Sequence, residues 1–106
     1  LEVQLDQLIT AVNPFSLNPV KYQILQNYPN PFNNETLIRF RLEKPGHTEL
    51  IVYNLIGRQI TTLINTTCSA GSHEIHFSGS GLPSGIYLYH IRTNQFQSVK
   101  KMILSK

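Results

Sequence analysis

The sequence predicts an all-β domain, a sandwich of two antiparallel sheets, and three observations carry that expectation. From Tyr22 onward apolar and polar residues alternate with period two. Gly, Pro, Asn and Ser clusters recur at the spacing of short strands joined by turns. No ten-residue stretch carries a convincing 3.6-residue period. The composition agrees: of 106 residues 41% are hydrophobic and only 14% charged, so the chain lacks the charge density of a disordered tail. A domain of this size buries roughly 60 to 70% of the surface its unfolded chain exposes, enough for one core.

Residues 1–21 carry Pro14 and Pro19 and little periodicity, and are read as a linker or the tail of a preceding domain, with the folded domain spanning 22–106. The start, LEVQLDQLITAV, has no basic region ahead of an apolar stretch and is not a signal peptide, so the chain is expected to be the end of a longer protein. A first strand is expected around Tyr22 to Gln26. Thr36 to Leu42 sets Ile38, Phe40 and Leu42 on one face and Arg39 and Arg41 on the other, as a strand with one wet face requires. Pro45 and Gly46 turn the chain into His47 to Tyr53, with Thr48, Leu50 and Val52 on one face. Gly57 supplies the positive φ of a hairpin loop, and Gln59 to Ile64 is the return strand. Ser72 to Ser78 alternates His73, Ile75 and Phe77 against Glu74 and His76. Gly85 to Thr93 is apolar on both faces through much of its length, as a central strand is, and Phe96 to Leu104 is the last strand.

That makes about seven strands, the number in the smaller immunoglobulin-like sandwiches. Leu82, Ser84, Gly85, Tyr87 and Tyr89 have the spacing L-x-S-G-x-Y-x-Y, close to the corner of such domains where a Tyr entering a strand turns its hydroxyl back to upstream backbone. Tyr87 is assigned that role. An ordinary half-buried strand Tyr is the alternative.

Two short segments stand out. In Asn27, Tyr28, Pro29, Asn30, Pro31, Phe32 and Asn33, each proline fixes its own φ and pushes the residue before it toward extended conformations, so the segment is stiff and Tyr28 and Phe32 become anchors. A stiff aromatic segment suits a lid over the domain's own sandwich, and equally a docking peptide that loses little entropy on binding, with the lid the favoured reading. Asn33 and Asn34 turn the chain into the next strand. At the other end, Lys100 to Lys106 reads KKMILSK. Met102 and Leu104 share a face expected to meet the core, which leaves Ile103 beside Lys101 on the other. Charge at both ends of a terminal strand discourages stray edge pairing, and the mixed apolar and cationic strip offers a partner a docking element.

Taken together these segments resemble the C-terminal sorting domain, type A, of the type IX (Por) secretion system. Members begin with a run like QNYPNPFNPxT, matched by Gln26 to Asn33 and then Thr36. Val52, Tyr53, Gly57 and Arg58 match VYD-x-x-GR, and Ala70, Gly71 and His73 match AG-x-H. The tyrosine corner matches L-x-S-G-x-Y-x-Y, and Lys101 to Lys106 matches KM-x-L-x-K. Asn34 stands where the family commonly has Pro, Asn54 where it often has Asp, and Phe77 where it often has Trp. The resemblance covers Tyr22 to Lys106 and implies a non-catalytic signal at the C-terminus of cargo proteins of Bacteroidetes-type bacteria. It implies as partners an attached N-terminal cargo and the outer-membrane translocon with its shuttle and sortase components. Passage through the periplasm would be followed by release or surface attachment, often with cleavage. The implied recognition residues are Lys100, Lys101, Met102, Ile103, Leu104 and Lys106, with Asn27 to Asn33 as the N-terminal family motif.

Other chemistry is poorly supported. His73 and His76 fall on opposite faces of a strand, whereas the helical zinc motif needs His at i and i+4, so no metal or other cofactor is expected. Gly79, Gly81 and Gly85 approach a phosphate-binding loop, but Pro83 interrupts them and a strand follows where a helix is required. No Gly-x-Ser-x-Gly elbow occurs. Asn34-Glu35-Thr36 and Asn65-Thr66-Thr67 fit the glycosylation pattern by accident. The net charge of +3 is scattered rather than gathered into a basic stripe, which argues against nucleic acid. Cys68 is alone, so there is no internal disulfide. The rival reading is a carbohydrate-binding or structural sandwich, with Tyr22, Tyr28, Tyr53, Tyr87 and Tyr89 as candidate platform residues, though the chain has no Trp.

Overall fold

The computed structural model describes residues 23–106, all of them strand, turn or loop; the expected linker or tail at 1–21 lies outside these. Among the described residues seven antiparallel strands form two sheets: β1 (Gln23–Ile24), β2 (Glu35–Leu42), β3 (Gly46–Asn54), β4 (Gln59–Cys68), β5 (Gly71–Ser78), β6 (Gly85–Thr93) and β7 (Gln97–Leu104). One sheet has the order β1-β2-β5 and the other β4-β3-β6-β7. The fourth strand therefore pairs with β3, giving three strands plus four, whereas constant-type immunoglobulin domains place their fourth strand in the other sheet.

Alternation decides which side chains meet between the sheets. Ile38, Phe40 and Leu42 of β2, Leu50 and Val52 of β3, Phe77 of β5, Tyr87, Tyr89 and Ile91 of β6, and Met102 and Leu104 of β7 form the buried cluster, joined by Ile24 and Phe32. The aromatic at Phe77 sits edge-on to Phe32 with ring centroids 6.0 Å apart. The β3–β4 hairpin closes as its residues dictate: Gly57 adopts φ 89°, its N–H donates to Asn54 O at 3.0 Å, and Asn54 Oδ1 accepts from Arg58 N at 2.8 Å.

Two boundaries differ from the sequence expectation. β4 runs on past Ile64 to Cys68, because Asn65, Thr66 and Thr67 pair with Glu49, Thr48 and His47 although they carry no alternating apolar signal. Of the first strand expected around Tyr22 to Gln26, Tyr22 lies outside the described residues and the strand ends at Ile24, but Leu25 N still donates to Arg39 O at 2.9 Å, and Tyr28 exchanges both backbone bonds with Leu37 at 2.9–3.0 Å.

Candidate functional site

The β7 strand is an outer strand of its sheet, so one side of its backbone faces away from β6. The segment between β1 and β2 covers the C-terminal half of that side. Gln26 Nε2 donates to Lys101 O at 2.7 Å, Asn30 Oδ1 accepts from Ile103 N at 2.9 Å, Phe32 N donates to Ile103 O at 2.9 Å, and Ser105 N donates to Phe32 O at 2.8 Å. Phe32 and Leu104 thus form a parallel bridge. The segment crosses from one sheet to the other as a strap, with cis peptides at Tyr28-Pro29 and Asn30-Pro31.

A buried polar network holds the strap. The Tyr89 hydroxyl donates to Leu25 O at 2.7 Å and accepts from Asn27 N at 2.8 Å. Asn27 Nδ2 donates to Thr36 Oγ1 at 3.0 Å and to Pro29 O at 3.1 Å, and Thr36 Oγ1 donates to Pro29 O at 2.8 Å. Gln26 Nε2 reaches Asn27 Oδ1 at 2.7 Å, tying the network to the strand edge. Burial pushes the Tyr89 phenol up to about 12, partly offset by the Asn27 N–H. Beneath the strap, a Cβ at Gly79 would lie 2.8 Å from Leu104 Cδ1 and 3.3 Å from Phe32 Cε2, so a larger residue there would displace the Leu104 side chain. The corner beside it has Tyr87 Oη donating to Pro83 O at 2.7 Å, and Ser84 Oγ accepts from Lys106 N at 3.0 Å.

Residues 26–105 match the family model described as "Secretion system C-terminal sorting domain". The chain belongs to the family of type IX secretion C-terminal sorting domains. No curated protein and no solved structure matches it. The sorting domain is a signal of the type IX machinery, marks a secreted or cell-surface protein, and comes from a family that is not a catalytic one.

Within the sorting domain the two family segments touch. Of the N-terminal motif, Phe32 and Asn27 are buried while Tyr28, Pro29, Asn30, Pro31 and Asn33 are exposed. The paired anchoring expected of Tyr28 and Phe32 is therefore corrected: Phe32 enters the core and Tyr28 remains 71% exposed, because its backbone pairs with β2 and its ring is left on the solvent side. Of the terminal segment, Met102 and Leu104 are buried, Lys100 and Ile103 half-buried, and Lys101 and Lys106 exposed.

Sequence reasoning missed Gly79, Thr36 and the role of Tyr89. The signal for Tyr89 was its place in L-x-S-G-x-Y-x-Y, but its partners lie more than sixty residues away in sequence. The histidines are otherwise engaged: His73 stacks on Phe40 at 5.0 Å and bonds Ser69 O, His47 bonds Asn65, His90 bonds Gln97, and His76 lies 3.8 Å from Glu35. Among the described residues no group of three or more potential metal ligands gathers.

Proposed function

We propose that this sorting domain directs an N-terminally attached cargo from the periplasm through the outer-membrane type IX translocon, and that the outward side of the strapped β7 strand is what the translocon and its shuttle and sortase components read. The cargo is then released by cleavage or held at the surface. One observation carries the reading: the two sequence segments that most resemble the family are bonded into one element, Gln26, Asn30 and Phe32 closing on Lys101, Ile103 and Ser105. Of the proposed recognition residues Lys100, Lys101, Met102, Ile103, Leu104 and Lys106, Met102 and Leu104 act from inside by fixing the strand, and Lys101, Ile103 and Lys106 are the groups available for contact. The carbohydrate-binding alternative is not favoured, since Tyr87 and Tyr89 are buried with their hydroxyls bonded to backbone.

Fusing the full chain behind an exported fluorescent reporter in a type IX secreting bacterium tests the proposal. The reporter is expected outside the cell. A reporter retained in the periplasm, while a known sorting domain carries the same reporter out, would refute it.

A further inference from the structure

The two outer faces of the sandwich differ in chemistry. That of the three-stranded sheet is charged and polar: Arg39 stands opposite Glu74, Arg41 Nη1 donates to Ser72 Oγ at 3.2 Å, and Glu35 lies near His76. That of the four-stranded sheet is largely apolar around β6. Ile86 pairs with Ile103, Leu88 lies between Tyr53 and Lys101, and His90 lies between Ile51 and Val99. These residues alternate with Tyr87, Tyr89, Ile91 and Met102, which fill the core, so they point away from it. Apart from Tyr28 on the strap, the large apolar side chains left in solvent among the described residues lie on the same sheet: Val99 is 54% exposed, and Leu55 and Ile56, at the end where Ile86 and Ile103 meet, are 63% and 83% exposed.

The charged side chains that β6 and β7 contribute have one sign: Arg92, Lys100 and Lys101. No Asp or Glu occurs after Glu74, and Glu49, at the far end of the face, is engaged by Arg92. Lys101 is exposed in the middle of the apolar strip and Lys106 at its end. An apolar strip that carries a lysine in its middle and another at its end, neither in an ion pair among the described residues, is complementary to an apolar protein surface that bears carboxylates.

We infer that the outer face of β6 and β7, centred on Ile86, Leu88, Lys101 and Ile103, docks against a carboxylate-bearing apolar surface of a component of the secretion machinery. The inference rests on the translocation reading above and adds β6 to the recognised surface. It also explains why Ile103 lies beside Lys101 on a strand face where polar residues would otherwise be expected. The strap supports this surface from the side, fixing the Ile103 backbone through Asn30 and Phe32 so that the face is presented in one register.

The test uses the reporter fusion with full-chain variants Ile86→Glu, Leu88→Glu, Lys101→Gln and Lys101→Glu, and Ser72→Glu on the opposite sheet as control. Melting of each purified chain establishes which are folded. Folded Ile86→Glu and Leu88→Glu are expected to lower export by roughly tenfold or more. Lys101→Glu is expected to lower it more than Lys101→Gln, and Ser72→Glu to leave it unchanged. If either Glu variant on β6 fails to fold, the exposed Lys101 pair decides. Failure of the unsubstituted fusion to leave the periplasm refutes the translocation reading itself. Normal export of the fusion together with its folded β6 and Lys101 variants refutes only the docking face.

Two further measurements discriminate the occupant. A dimer in analytical ultracentrifugation that Leu88→Glu abolishes would overturn the inference in favour of a second copy. Sedimentation with phosphatidylglycerol vesicles that depends on Lys101 would overturn it in favour of lipid.

Discussion

The hydroxyl of Tyr89 joins the strap to the four-stranded sheet, accepting from Asn27 N and donating to Leu25 O in a fully buried position. Replacing Tyr89 with Phe keeps the ring's packing but leaves a buried N–H and C=O without that partner, at a cost of about 1 to 3 kcal/mol. Chemical denaturation of the two chains measures it. The same group sets a pH limit. Its folded value is about 12, against about 10 in an unfolded chain. Between these the unfolded chain has released the proton and the folded chain retains it, so the stabilising contribution is complete below about pH 10 and is lost as pH rises toward 12. The wild-type chain is therefore expected to lose stability over that window more steeply than Tyr89→Phe. Parallel pH–stability profiles would show that this hydroxyl is not the titrating group. Tyr87 and Tyr89 were both legible as a pair entering a strand, but the division of labour was not. Tyr87 bonds four residues upstream, a separation a motif can encode, while Tyr89 bonds across the two sheets.

At the scale of elements, legibility followed burial. β2, β3 and β6 each carry a buried side chain at every second position over part of their length, and β5 alternates half-buried with exposed residues up to the buried Phe77; that alternation placed them within a residue or so. The polar end of β4 has no buried alternation to report, and its extension is fixed only by pairing with β3. The strap was harder still. Stiffness from Pro29 and Pro31 was readable and a lid was favoured over a docking peptide, but sequence does not say that β7 is an outer strand with open backbone groups, and so could not say what the lid covers. The bonds from Asn30 and Phe32 to β7 make the segment a strap on its own domain. Asn30→Ala removes the acceptor of Ile103 N–H, worth about 1 kcal/mol, and is expected to speed exchange of that amide roughly 3- to 10-fold. The Ser105 amide, held by Phe32 O, should change less. Hydrogen exchange by NMR reads both. Equal protection of Ile103 in the two chains would mean that the strap is held by Phe32 and the Tyr89 network alone.

At the scale of the whole molecule, the terminal residues cannot be separated from the fold that presents them. The sequence view of Lys100 to Lys106 as a label suggests a simple truncation test, yet that segment also carries Met102 and Leu104, both fully buried, and supplies the backbone groups that anchor the strap. Emptying two such core positions costs about 2 to 5 kcal/mol each, of the same order as the entire stability of a small domain, about 5 to 15 kcal/mol. A chain ending at Val99 is therefore expected to show no cooperative thermal transition by circular dichroism. Its failure to carry cargo would report unfolding rather than loss of a contact. Lys101→Gln, changing one exposed side chain on the outer face, is expected to melt within about 0.5 kcal/mol of the parent, so a drop in export there bears on recognition. Should the chain ending at Val99 melt cooperatively near the parent temperature, the last strand would be dispensable for folding, and the strap would need another support than β7.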